Sequence, residues 1–199
     1  MFRARVRMVW RPSLSCSASP GVRPWMLFQY WLEATGIPEM VKYLFSSSKV
    51  AEQPPRRAQA TLAPKFQAAD GLVIASPVYY ASANATLIAC LDRLFHSTSF
   101  DKTMKVGASV ACARRGGCSA TFDELNKYFT ISGMPVASSQ YWNSIHGRTP
   151  GEAEQDGEGL QTMRTLARNM TFLMRSIALG KEQFGLPEKE DRIATHFIR

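Results

Sequence analysis

Three observations predict an α/β fold, a parallel sheet with helices on both faces. Residues 72–75 (Leu-Val-Ile-Ala) and 104–111 are short apolar runs that do not alternate, the pattern of strands buried on both sides. Each is followed by a loop and then by apolar residues at helical spacing. The repetition gives a βαβαβα order, for which right-handed crossovers are expected.

The elements follow in order. Residues 1–24 read as a basic, disordered arm. Arg3, Arg5, Arg7, Arg11 and Arg23 precede the first acidic residue, Glu33, and Ser13, Ser15, Ser17 and Ser19 interleave with Pro12 and Pro20. This composition also fits an organelle transit peptide, which ranks behind the plain arm. A misassigned start or a shifted frame is a third reading. No apolar core follows the arginines, which argues against a secretory signal.

Residues 25–66 read as an irregular helical segment. Met26, Phe28, Tyr30, Trp31 and Leu32 are apolar, and Ile37, Met40, Val41, Leu44 and Phe45 recur at helical spacing beyond a break at Gly36-Ile37-Pro38. Such an aromatic stripe suits plain packing before it suits a flavin or a partner. A loop spans 46–57, and 57–69 reads as a helix with Leu62 and Phe66 inward, which Pro64 would shorten or kink.

Residues 67–180 are the core. Ser76-Pro77 stops the first buried strand, because proline gives no N–H to a ladder. A helix follows over 84–96, with Leu87, Ile88, Leu91, Leu94 and Phe95 on one stripe. The second strand, 104–111, runs into a basic, glycine-rich loop, Cys112-Ala-Arg-Arg-Gly-Gly-Cys118. The helix over 119–131 puts Phe122, Leu125, Tyr128 and Phe129 on one stripe and Asp123, Glu124 and Lys127 opposite. A third short strand is expected at 133–137, then a polar-aromatic loop at 138–147. The acidic residues Glu152, Glu154, Asp156 and Glu158 suit a helix N-terminus. That helix keeps its period from Leu160 to Ile177, with Gly180 as its C′ residue. Residues 181–199 are a charged surface tail.

Composition bounds the function. A chain of 199 residues, 45% hydrophobic and 20% charged, is long and apolar enough for one globular domain with a real core. Cys16, Cys90, Cys112 and Cys118 form no CxxC pair, so a reducing compartment, the cytoplasm, is expected. Cys112 and Cys118 flank the glycine loop and read as small packing residues. No apolar run approaches the ~20 residues of a membrane span, so no membrane partner is expected. The net charge of +8 suggests nucleic acid, but its distribution does not: up to Phe66 there are ten basic residues against three acidic, and beyond it fourteen against thirteen. A nucleic-acid partner is therefore not expected, since the charge belongs to the first third and not to a groove.

In such a sheet a ligand sits beyond the carboxyl ends of the strands. Three loops meet there, 76–84, 112–119 and 138–147, and bring Tyr79, Tyr80, Arg114, Arg115, Gly116, Gly117, Tyr141, Trp142 and His146. Aromatics offer a stacking face, glycines let backbone N–H groups approach ring carbonyls, and arginine would stabilise charge on a reduced ring. Each residue alone is an ordinary loop residue; their convergence is the stronger signal. His96, His146 and His196 are isolated in sequence, and His146 reads as a contact rather than a base. No nucleophile–base pair stands out, so no catalytic residue and no metal ligand is assigned.

The words Ala69-Asp-Gly-Leu-Val-Ile-Ala-Ser-Pro-Val-Tyr-Tyr80, Leu91-Asp-Arg-Leu94, Arg114-Arg-Gly-Gly117, Tyr141-Trp-Asn143 and Gly159-Leu-Gln-Thr-Met-Arg164 occur in the order found in one family. Over 69–177 the chain resembles the NADPH-dependent FMN reductases of the flavodoxin-like superfamily, nearest the branch with iron–sulfur flavoproteins. The resemblance implies a flavodoxin-like three-layer αβα fold and an FMN site. Ser76, Pro77, Val78, Tyr79 and Tyr80 would border the isoalloxazine, Arg114, Arg115, Gly116 and Gly117 its pyrimidine edge, with Trp142 also in contact. It further implies hydride transfer from NAD(P)H through flavin N5 to a small electron acceptor such as free flavin or a quinone, in a homodimer or homotetramer.

The chain departs from the family at its start. The first strand of the 2-1-3-4-5 order, with its phosphate-cradling loop, is missing or degenerate. The nearest candidate is 6–15, where Arg11, Ser13 and Ser15, with Ser17 just beyond, would meet a phosphate. Cys16 alone holds no iron–sulfur cluster. The competing function is a flavin-less module of the same fold that serves in protein interaction.

Overall fold

The computed structural model describes residues 43–45, 55–149 and 151–197. The expectations for the basic arm, its phosphate-binding serines, Cys16 and most of the aromatic segment lie outside these residues.

Among the described residues, four strands make one parallel sheet in the order β1-β2-β3-β4. They are β1 Tyr43–Phe45, β2 Gly71–Pro77, β3 Val106–Ala113 and β4 Ser144–His146. The helices are α1 Pro55–Gln67, α2 Ala85–His96, α3 Cys118–Thr130 and α4 Gly157–Phe184, with one 3-10 turn, Glu152–Glu154, ahead of α4. No described helix is long and apolar enough to cross a membrane.

The period of two along β2 divides the core into two layers. Leu72 and Ile74 face Leu62 and Phe66 of α1, Leu87, Leu91 and Leu94 of α2, and Leu125 and Phe129 of α3. Val73 faces the other way, with Val106, Ala108 and Val110 of β3, onto Met163, Leu166, Met170 and Met174 of α4. Alternate residues thus bury opposite faces of the sheet, and the result is the three-layer αβα arrangement. Gly107 is needed for this packing: a Cβ there would lie 2.4 Å from the Phe129 ring.

Helix ends find side-chain partners. Asn84 Oδ1 accepts the Leu87 amide at 3.1 Å and caps α2. Lys105 Nζ donates to the carbonyls of Ala69 at 2.5 Å and Gln67 at 3.0 Å, which takes up acceptors left over at the end of α1. Pro64 lies inside α1 without ending it.

The structure corrects four expectations. Tyr43–Phe45 is a strand and not part of a helical stripe: it pairs with Val73–Ala75 and covers that edge of β2 beside which the missing strand was expected. Short apolar runs fit either period, and here an open ladder decided. The strand expected at 133–137 contributes one bridge, Gly107 to Val136, because Pro135 has no N–H to extend a ladder. Pairing resumes in what was read as a loop: Ala111 is opposite Ser144. From the bridge to that pair β3 advances four residues and its partner eight, so four residues are looped out. Finally, α4 runs through Gly180 and stops at Gly185, where φ is +77°. The expected limits at 66/67 and 180/181 accordingly fall inside helices.

Candidate functional site

The carboxyl ends of β2, β3 and β4 form one rim. Val78 donates its amide to the Cys112 carbonyl at 2.9 Å, and Gly147 donates to the Ala113 carbonyl at 3.0 Å. The chain leaving β2 and the chain leaving β4 are thus tied to either side of the last residues of β3.

The β2–α2 loop is locked at several points. Ser76 Oγ accepts the Asn84 amide at 2.9 Å and donates to the Pro77 carbonyl at 2.8 Å. Tyr79 and Ser82 exchange both backbone bonds, at 2.9 and 3.0 Å, around a two-residue turn. Its central residues, Tyr80 and Ala81, have φ of 51° and 59°. Positive φ at both positions usually selects Asn and Gly, and a non-glycine there costs about 1–2 kcal/mol. What holds the turn is Glu124 of α3. One carboxylate oxygen, Oε2, accepts the Ser82 hydroxyl and the Ala83 amide, each at 2.8 Å. Tyr79 is partly exposed and Tyr80 projects fully into solvent.

The β3–α3 loop meets this turn directly. Gly117 has φ of +90°, and a Cβ on it would lie 2.8 Å from Val78 Cγ1 and 2.9 Å from Ala81 Cα. Only glycine allows that approach. A Cβ on Gly116, by contrast, would point into open space. Arg114, Arg115 and Gly116 are exposed. The rim therefore presents a bare stretch of backbone, two guanidinium groups and two tyrosines along one edge.

The third loop joins the rim only at its end. His146 and Gly147 reach it through β4, paired with Ala113. Trp142 precedes β4, beside the looped-out stretch of the edge strand, with its ring 4.9 Å from that of Tyr141. That stretch is pinned to α4: Gln140 Nε2 donates to Thr162 Oγ1 at 3.2 Å, and Asn169 Nδ2 donates to the Ser138 carbonyl at 2.8 Å. Of the expected site residues, 76–80 and 114–117 are brought together, and Trp142 stands one step back from them along β4. Sequence reading missed Glu124 and Ala81. Glu124 carried no signal beyond its place off the apolar stripe of α3.

Residues 31–148, more than half of the chain, match the family model for NADPH-dependent FMN reductase. The chain belongs to that family. It is 31% identical over 121 residues to an iron–sulfur flavoprotein of Methanocaldococcus jannaschii, covering 57% of this chain and 63% of that one. A second iron–sulfur flavoprotein, from Methanosarcina thermophila, is 32% identical over 123 residues, 60% of this chain and 63% of the relative. The chain thus spans less than two thirds of the length of either relative. Among solved structures, the NAD(P)H:(acceptor) oxidoreductase FerB of Paracoccus denitrificans superposes with a TM-score of 0.53 at 12% identity, over 76% of this chain and 87% of that one. An apo NADH:FMN oxidoreductase superposes with a TM-score of 0.50 at 17% identity, over 81% and 85%. These likenesses are of fold: the α/β architecture is flavodoxin-like. Among the described residues no group of His, Cys, Asp and Glu is arranged to hold a metal ion.

Proposed function

We propose that this member of the family is an FMN-dependent NAD(P)H oxidoreductase that reduces a small acceptor such as free flavin or a quinone. The observation that carries the reading is the contact between Gly117 and the Val78–Ala81 turn, which joins two loops into one edge. The residues of that edge fit a flat, hydrogen-bonding ring. A bare backbone at Gly116 lets a ring edge settle without meeting a side chain, and Tyr79 and Tyr80 offer faces and hydroxyls.

FMN, when bound, supplies hydride chemistry at N5, and the protein's part is orientation and electrostatics. Ser76, Pro77, Val78, Tyr79 and Tyr80 would border its ring system. Arg114 and Arg115 would bring positive charge to the pyrimidine edge, where charge on a reduced ring would gather, and the amides of 115–117 would donate there. Trp142 would flank the site from the side of β4.

The exposed apolar side chains of α4, Phe172, Leu179 and Phe184, support assembly with a second copy of the chain, as a homodimer or homotetramer. The reducing compartment inferred from the cysteines supports the cytoplasm as its place. Titration of the purified protein with FMN tests the function: flavin fluorescence is expected to fall, with FMN-dependent consumption of NADPH or NADH in the presence of a quinone. Unchanged fluorescence together with no consumption would overturn the reading and favour the interaction module.

A further inference from the structure

Beside the rim, three ionisable side chains stand in a line that the flavin reading does not use. Cys118 opens α3, and its Sγ lies 3.9 Å from Nε2 of His146. The other ring nitrogen, Nδ1, lies 3.6 Å from Asp156 Oδ2. Backbone bonds hold this line in place. Asp156 Oδ2 accepts the His146 amide at 2.7 Å, and Oδ1 accepts the Gly159 amide at 2.9 Å as the N-cap of α4. The imidazole is therefore kept between a thiol from α3 and a carboxylate from the start of α4, with 46% of its side-chain surface open to solvent. We propose that Cys118 is a nucleophilic thiol with His146 as its base and Asp156 as the residue that positions that base, and that it accepts soft carbon electrophiles of the α,β-unsaturated carbonyl or quinone class.

The protonation states require the pair to act together. Partial burial pushes the Cys118 thiol up, so at rest it is S–H. A neutral thiol is a poor nucleophile, and an adjacent base is the usual remedy. As sulfur bonds to the β-carbon of the electrophile, the S–H proton passes to His146 Nε2. The C=C electron pair moves towards the carbonyl and gives an enolate. The imidazolium, beside the Asp156 carboxylate, then returns the proton to the enolate. The product is a thioether; nothing is oxidised or reduced by an outside reagent. Cys90 is the contrast within the same chain, 1% exposed among the leucines of α2.

The test needs no flavin. The reduced, full-length protein is treated with limiting N-ethylmaleimide, quenched, and each cysteine-containing peptide is quantified by mass spectrometry. At about pH 7, Cys118 is expected to react about tenfold faster than Cys90 or Cys112. His146→Gln should slow it about tenfold at that pH, and the two rates should converge once the pH is raised far enough to ionise the thiol unaided. Asp156→Asn keeps an oxygen for the cap and should slow the reaction about threefold; it serves as the deciding variant if circular dichroism shows His146→Gln unfolded. Equal Cys118 rates in the wild type and the folded variants at neutral pH, or labelling no faster than Cys112, would overturn the proposal.

Discussion

Glu124 accepts the Ser82 hydroxyl and, through the same oxygen, the Ala83 amide, each at 2.8 Å. One carboxylate of α3 thereby fixes the loop that leaves β2, across a sequence gap of about forty residues, and holds a turn that its own residues would not choose.

Glu124→Ala should free that loop. A half-buried hydroxyl and amide lose their acceptor, at a cost of about 1–3 kcal/mol. Glu124→Gln can present its carbonyl oxygen at the same place and should cost under about 1 kcal/mol. Chemical denaturation of both variants, beside FMN titrations, checks the order. If the alanine variant matches the glutamine variant in stability and in FMN affinity, the carboxylate does not hold the turn.

Ala81→Gly should stabilise the protein. Ala81 has φ of 59° and an exposed side chain, so a glycine loses little contact and removes a left-handed alanine. The gain expected is about 1 kcal/mol before the unfolded chain's greater freedom is subtracted. A raised melting temperature with a tighter or unchanged FMN complex fits this. A lowered one would mean that the methyl group packs against something the free protein needs.

Much of this architecture was legible in the sequence, and the misses have physical causes. The buried strands around Leu72 and Val106 and the three helices after them announced themselves by apolar runs and helical stripes, because burial on both faces or on one leaves a periodic mark. Asn84 was read as the first residue of its helix and proves to be its cap, one position outside it. The edge strands were not readable. Tyr43–Phe45 and Ser144–His146 are three residues each, too short for a period, and exist through pairing with β2 and β3. The site was half legible: Ser-Pro-Val-Tyr-Tyr and Arg-Arg-Gly-Gly name two loops, but their contact depends on Gly117 approaching Val78 and Ala81, and no spacing encodes that. Glu124 acts across a loop and so left no local signature; Asp156 was marked by its place at a helix start, but not its bond to the His146 amide.

The turn that leads into α4 should open in acid. Glu152 bonds to Thr149 through its side chain and accepts the amides of Thr149 at 3.0 Å and Arg148 at 2.6 Å. These bonds, with the Thr149 side chain foremost, lower its carboxyl from 4.5 to about 2. A carboxyl lowered on folding stabilises the folded form above its unfolded value and loses that contribution as pH falls through the folded one. The bonds should therefore be intact above about pH 4.5 and lost on the way to about pH 2. Glu152→Gln should remove this dependence. Following the Arg148 and Thr149 amide resonances by NMR through that window is the check, and resonances that do not move there in the wild type would refute it.

Gly117→Ala should do the greatest local harm. The new methyl group would stand 2.8 Å from Val78 Cγ1 and 2.9 Å from Ala81 Cα, at a φ of +90° that alanine rarely adopts. The second of these is backbone and cannot simply rotate away, so the two loops must separate. Left-handed strain and overpacking each cost about 1–3 kcal/mol. The sheet, whose core lies below the rim, should still fold. A protein with native circular dichroism, a lowered melting point and FMN binding weakened about tenfold or more is expected. Gly116→Ala is the internal control: its Cβ meets nothing within 4 Å, so its melting point should stay near that of the wild type, while a ring seated on that backbone would still meet the added methyl. Full FMN affinity in both variants would show that the joined loops are not where the ring binds.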